Sequence, residues 1–139
     1  MKRRLLYFGI ALSVIPIGLI ARSLRGDADG TTAFGFIATY LGDTLWAVMF
    51  YFLFAAVLMS WATRRLAVLT LIFTAGIEFS QLYHGEPLAS LRSFPPTRFL
   101  LGTNFLWSDI LCLCVGTTLA AAVHAVICHK DSKTPRIVG

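Results

Sequence analysis

Four long apolar stretches constrain this chain more than any other feature of its sequence. They lie at about 5–21, 41–62, 66–83 and 105–128. A helix needs roughly 17–25 mainly apolar residues to cross a bilayer, and each stretch is about that long. Because lipid gives the backbone no hydrogen-bonding partner, each span should be helical. The sequence therefore predicts an all-α integral membrane protein, a bundle of four transmembrane helices with short loops.

Composition supports a membrane location and excludes several other classes. Hydrophobic residues make up 57% of the chain and charged residues 14%, and the mean hydropathy is +0.74. Soluble domains carry about 25% charged residues, and disordered chains have few apolar ones. The net charge of +5 therefore indicates a membrane surface and not a nucleic-acid partner. The 139 residues leave room for one domain over 1–139, with a basic cytoplasmic tail at 129–139.

The basic residues predict the orientation of the bundle, because cytoplasmic loops carry more Lys and Arg. Eight basic residues fall on the side of both termini, namely Lys2, Arg3, Arg4, Arg64, Arg65, Lys130, Lys133 and Arg136. Four fall on the other side, namely Arg22, Arg25, Arg92 and Arg98. We therefore expect a multi-pass protein of the bacterial cytoplasmic membrane with both termini in the cytoplasm. Tyr7 and Trp61 should lie in the aromatic belt of the inner surface.

Three acidic residues, Asp43, Glu78 and Asp109, lie inside the predicted spans. Ionisable groups are rare within membrane helices, and those present usually mark a function or a buried pair. Successive spans cross in opposite directions. Asp43 and Asp109 follow the start of inward-running spans, and Glu78 precedes the end of an outward-running one. The topology therefore gathers the three carboxyl groups into one layer near the outer surface.

Helical spacing predicts which faces of these helices look into the bundle. Glu78 and Gln81 are three residues apart and share a face. Asp109 begins a stripe at spacings of three and four residues that continues through Cys112, Gly116 and Ala120. The last two form a pair of small residues four apart, which lets another helix approach closely. We therefore expect the Asp109 face to point inward and the cysteines of this span to be packing residues.

A longer outer loop, at 84–104, separates the third and fourth spans and supplies His84 and Arg92. Three carboxylates at close range cannot all stay ionised without a cation, and a guanidinium can bind a carboxylate through two hydrogen bonds. Arg92 is the most economical partner. The alternatives are that Arg98 neutralises part of the cluster or that at least one carboxyl group is protonated. The candidate polar cluster therefore contains Asp43, Glu78, Gln81, His84, Arg92 and Asp109. The sequence predicts no catalytic residue, metal ligand or cofactor.

A purely structural interpretation competes with this one. Asp43 and Asp109 lie near predicted helix starts, where a carboxylate caps free amides or interacts with the helix dipole. Glu78 lies near a helix end, where neither explanation applies. His84 would then be a solvated loop residue, and Gln81 would only satisfy Glu78.

Three segments resemble a known family, namely Gly42-Asp43-Thr44-Leu45-Trp46-Ala47, Glu78-Phe79-Ser80-Gln81-Leu82-Tyr83 and Phe105-Leu106-Trp107-Ser108-Asp109. Together they are similar to the small bacterial membrane proteins of domain-of-unknown-function family 2809. The resemblance implies a four-span fold and places the family's characteristic arginine at Arg92. A weaker likeness extends to VanZ-like proteins, through Glu78, Gln81, Arg92 and Asp109. The first family has no established activity, so the resemblance implies little chemistry.

Several functions fit these features. The preferred one is binding of an anionic or polar envelope component, a lipid head group or a cell-wall precursor, in the outer layer. An enzyme is less favoured, because no nucleophile has a base beside it. The alternatives are a structural or accessory membrane subunit, and an ion- or proton-coupled transporter that acts as a homodimer.

Overall fold

The chain folds into helices joined by turns, as a computed structural model shows for residues 2–27, 33–83, 85, 93 and 107–133. The helices are α1 (Lys2–Asp27), α2 (Ala33–Val57), α3 (Thr63–Ser80) and α4 (Trp107–Lys133). Within the described ranges there is no strand, which confirms the all-α prediction. The predicted outer loop lies almost entirely outside the described residues.

Helix α2 is the centre of the bundle, because it packs against each of the other three. Helix α1 runs antiparallel to it, since the Arg4 Nε donates a hydrogen bond to the Ala56 carbonyl at 3.0 Å. That carbonyl belongs to the last turn of α2, where carbonyl groups lack helical partners and a cation is favoured. Helix α3 packs against both α2 and α4.

Helices α2 and α4 run parallel and touch most closely at Gly116. A methyl group at this position would overlap the Thr44 carbonyl and lie 3.0 Å from the Ala47 Cβ. Glycine is therefore required here for packing and not for its backbone freedom. The predicted pair of small residues is confirmed, since Gly116 and Ala120 are both buried.

The apolar core lies towards the ends of α2 and α4 that face the start of α1. It combines four alanines and one leucine with three aromatic rings, namely Tyr7, Ala11, Tyr51, Phe52, Ala55, Ala56, Leu66 and Ala120. Small residues let the backbones approach while the rings fill the remaining space. Tyr7 is buried and its ring packs against Phe52, so this side chain faces the bundle interior; its depth at the inner surface stays a prediction.

Several helix boundaries differ from the predicted spans. Helix α2 begins at Ala33 and not near 41, and it ends at Val57 and not near 62. Residues 58–62 form the turn that reverses the chain between α2 and α3, and the backbone of Ala62 is extended. Helix α4 continues to Lys133, so the first part of the predicted tail is helical. Helix ends depend on where backbone hydrogen bonding stops, and the limits of an apolar stretch do not fix them.

Two of the described helices are long and apolar enough to cross a membrane, over Tyr40–Val57 and Trp107–Lys130. Helix α3 falls short because its 18 residues include Arg64, Arg65 and Glu78. Helix α1 opens on three basic residues, and no side chain beyond Ile20 is described in it. The bundle of four spans therefore stays a prediction.

The contact at Gly116 generates a testable prediction. Gly116→Ala should destabilise the protein by about 1–3 kcal/mol, because the added methyl group overpacks the α2–α4 interface. Gly76→Ala is the matched control, since nothing lies within 4 Å of a methyl group there. That change should be neutral or stabilising by up to about 1 kcal/mol. Thermal unfolding in detergent measures both, and equal melting temperatures would contradict the close approach.

Candidate functional site

Glu78 and Gln81 form a buried pair at the end of α3. The Gln81 Nε2 donates a hydrogen bond to the Glu78 Oε2 at 2.7 Å. Glu78 is 8% exposed and Gln81 is 5% exposed. Gln81 also caps the helix: its backbone amide donates to the Glu78 carbonyl at 3.0 Å, and the Leu82 amide donates to the Phe79 carbonyl at 3.1 Å. The predicted shared face of these two residues is confirmed.

The inward face of α3 is polar over most of its length. Its buried residues recur every fourth position, at Leu66, Thr70, Thr74 and Glu78. Thr70 and Thr74 each donate a hydrogen bond to the carbonyl four residues earlier, at 2.8 Å. This bond satisfies a hydroxyl group inside a helix bundle without a partner from another helix. Glu78 thus ends a polar stripe that crosses the bundle.

Asp109 lies in the first turn of α4 and is 8% exposed. The Ser108 hydroxyl donates a hydrogen bond to its Oδ1 at 3.3 Å. The predicted inward stripe from Asp109 through Cys112, Gly116 and Ala120 is confirmed, because all four residues are buried. A carboxylate in a first turn also interacts favourably with the helix dipole, so that structural contribution of Asp109 stands.

Asp43 lies in the interior of α2, which begins at Ala33. Capping or first-turn stabilisation is therefore the wrong explanation for this residue. The half-buried Asp43 approaches α4 at Cys112, whose thiol also contacts the Thr44 hydroxyl group. Both Asp43 and Asp109 are close enough to act electrostatically on that thiol. An acid of α2 and an acid of α4 therefore both lie within electrostatic range of Cys112.

One acceptor in this cluster lacks a hydrogen bond. The Gln81 Oε1 is buried and has no hydrogen-bonding partner among the described residues. A buried polar atom without a partner costs about 1–3 kcal/mol, so its presence needs a cause. His84 and Arg92, the other two predicted members of the cluster, lie outside the described residues.

The family described as "Protein of unknown function (DUF2809)" matches residues 32–117, more than half of the chain. The chain belongs to the DUF2809 family. The matched segment holds all six residues of the predicted cluster and stops before the last part of α4. No solved structure matches the chain. The likeness to VanZ-like proteins remains an analogy.

Sequence analysis of this DUF2809 protein missed a second buried polar cluster, at the opposite end of α2 and α4. The Tyr51 hydroxyl lies 2.9 Å from the His124 Nδ1. The Tyr51 hydroxyl also donates a hydrogen bond to the Thr63 carbonyl at 3.4 Å. Both hydrogen bonds form together when the His124 Nδ1 carries a proton and donates it to the Tyr51 oxygen. The Tyr7 ring packs edge-on against His124, and its hydroxyl lies 3.9 Å from the Cys128 thiol.

One sequence signal for this second cluster was available. His124 lies four residues after Ala120, so the inward stripe of α4 extends to it without a break. Its partner Tyr51 carried no comparable signal, because it lies among aromatic residues of α2. Thr117, between the two clusters, is fully buried, and its hydroxyl has no hydrogen-bonding partner within the described ranges.

The pair of Tyr51 and His124 generates the next prediction. Tyr51→Phe should destabilise the protein by about 1–3 kcal/mol, because it leaves the buried Nδ1 of His124 without its partner. Adding His124→Leu should recover part of that loss, because both polar partners are then gone. A double-mutant cycle of melting temperatures measures the coupling. Ser13→Ala, at an exposed hydroxyl group on α1, is the control, and simple additivity would refute the pairing.

Proposed function

We propose that this DUF2809 protein spans the cytoplasmic membrane four times and binds a polar envelope component in its outer layer. The component is a lipid head group or a cell-wall precursor that carries amine or hydroxyl groups. The binding residues are the described members of the cluster, Asp43, Glu78, Gln81 and Asp109. His84 and Arg92 would complete it from the outer loop and meet an anionic part of the same molecule.

The distribution of polar and apolar side chains supports four spans. Large apolar side chains are exposed on every helix, for example Leu12 on α1, Val57 on α2, Ile72 on α3 and Leu111 on α4. Polar side chains such as Thr70 and Thr117 are buried between the helices. Water would penalise this arrangement, whereas lipid favours it. Helix α3 therefore suits a bilayer despite its three charged residues.

The two most apolar helices are also too exposed to be core helices of a soluble protein. Only 39% of Tyr40–Val57 and 33% of Trp107–Lys130 is buried inside the bundle. A core helix of similar hydropathy would be covered by protein over most of its surface. Lipid contact accounts for the apolar residues that the bundle leaves uncovered.

The observation that carries the binding proposal is the buried Gln81 Oε1 beside the Glu78 carboxylate. Both groups accept hydrogen bonds, and the amide nitrogen of Gln81 is already used. The described part of the cluster therefore favours a ligand with hydrogen-bond donors. An ammonium group would donate charge-assisted hydrogen bonds to a carboxylate of such a site.

A second candidate, movement of protons through the bundle, is favoured by one observation. Three buried polar side chains, those of Asp109, Thr117 and His124, are spaced along roughly 22 Å of α4 at 1.5 Å per residue. Chains of polar groups within membrane helices mark proton pathways in many transporters. Four helices enclose little space, so this function would require a homodimer.

Cysteine labelling tests the topology. In a variant whose three native cysteines are replaced by serine, Ser90→Cys should react with a membrane-impermeant maleimide added to intact cells. Ser132→Cys should react only after the membrane is opened. The physical reason is the excess of basic residues on the side of the termini. The reverse pattern would overturn the orientation.

Lipid analysis tests the ligand. The wild-type protein, purified in mild detergent, should carry one class of polar lipid or precursor enriched over the total membrane extract. Gln81→Leu should lower that enrichment about tenfold, since a lost buried hydrogen bond costs about 1–3 kcal/mol. Glu78→Gln keeps an acceptor for the Gln81 amide and removes the charge. It should abolish binding of an amine and spare binding of a hydroxyl group.

Ser13→Ala serves as the control and should leave the lipid content unchanged. Melting temperatures of all variants show whether a loss of lipid reflects unfolding. An equal amount of bound lipid in every folded variant would contradict the binding proposal. Proton uptake by vesicles that contain the protein would then favour the second candidate.

A further inference from the structure

A surface groove lies where the α2–α3 turn meets the first part of α3, far along the chain from Glu78 and Gln81. Its volume is about 400 Å³, within the range of small-molecule sites. It is lined by Trp61, Arg64, Arg65, Val68, Leu69 and Ile72. None of these residues belongs to either polar cluster.

The floor of the groove is apolar and faces away from the bundle. Val68 and Ile72 are exposed, and Leu69 is half-buried beside them. They lie on the side of α3 opposite the inward stripe of Leu66, Thr70 and Thr74. The groove runs along α3, and a lipid acyl chain beside a membrane helix lies in the same direction. An acyl chain is therefore the simplest occupant of this apolar surface.

Two cations stand at one end of this channel. Arg64 and Arg65 are exposed, and neither guanidinium group forms a hydrogen bond or an ion pair within the described part of the chain. The first turn of α3 contains no acidic residue. Guanidinium groups bind phosphate through two hydrogen bonds, and a neighbouring pair of them suits an anionic head group. The two arginines therefore fit the anionic head group of a lipid, and the apolar floor of the groove fits its acyl chain.

We propose that this groove binds an anionic phospholipid of the inner leaflet. Its phosphate group contacts Arg64 and Arg65, and one acyl chain follows Val68, Leu69 and Ile72. The Trp61 indole lies at the level of the head groups, where tryptophan is favoured. This inference rests on the membrane topology proposed above and concerns the surface opposite the outer polar cluster.

Fluorescence of Trp61 tests the proposal directly. The chain has three tryptophans, so Trp46→Phe and Trp107→Phe leave Trp61 as the only one. The full-length protein is placed in phosphatidylcholine vesicles that contain a small fraction of lipid with brominated acyl chains. Brominated phosphatidylglycerol should quench Trp61 with roughly tenfold preference over brominated phosphatidylcholine, because each arginine near the surface favours anionic lipid.

Two variants and a control separate a site from general surface charge. Arg64→Gln combined with Arg65→Gln should abolish the preference. Arg64→Lys combined with Arg65→Lys should keep only part of it, because lysine retains the charge and loses the two-point hydrogen bonds to phosphate. Lys130→Gln combined with Lys133→Gln removes the same charge from the end of α4 and should leave the preference unchanged. If this control lowers the preference as much as the arginine change, the groove is not a site and the proposal is overturned.

Three further outcomes also contradict the proposal. Equal quenching by both brominated lipids means that Trp61 meets lipid without selecting it. Absence of quenching by either lipid means that the chain does not lie in the bilayer as proposed, which also removes the four-span topology. Quenching that is weak in the wild type and increases when the protein is diluted in lipid means that a second copy covers the groove.

Discussion

The close packing of α2 against α4 at Gly116 is the contact on which both polar clusters depend. The two helices run parallel and approach closely at Gly116. They therefore stay near each other on both sides of this glycine, and each side carries one polar cluster. On one side, Asp43 and Asp109 approach Cys112. On the other side, Tyr51 reaches His124. A larger residue at position 116 would separate the helices and loosen both clusters together.

The buried polar groups explain how a bundle with an apolar exterior is held together. In lipid, burial of apolar surface gives little driving force between helices, so packing and hydrogen bonds must supply it. Thr70 and Thr74 satisfy themselves within α3, whereas Tyr51 with His124 links different helices. The Gln81 Oε1 and the Thr117 hydroxyl are the exceptions among the described residues. The first exception lies in the layer that we propose binds a ligand.

Two parts of the predicted cluster could be read from the sequence, because their evidence is local. The spacing of three residues between Glu78 and Gln81 placed them on one face, and they form a hydrogen bond. The stripe that begins at Asp109 is buried for the same reason. Asp43 was harder, because its interpretation depended on where α2 begins. Residues 33–40 extend the helix by eight residues before position 41 and carry no charged side chain.

The sequence by itself determined that the chain forms helices, and it determined the inward faces of α3 and α4. Those properties follow from the period of the helix, which is set by backbone geometry over a few residues. Only the tertiary structure decided that Tyr7 is buried, that Tyr51 meets His124 and that the Gln81 Oε1 is left without a described partner. Those facts depend on which helices touch and at what height. Contacts of that kind arise from the packing of side chains far apart in the sequence, and no local pattern records them.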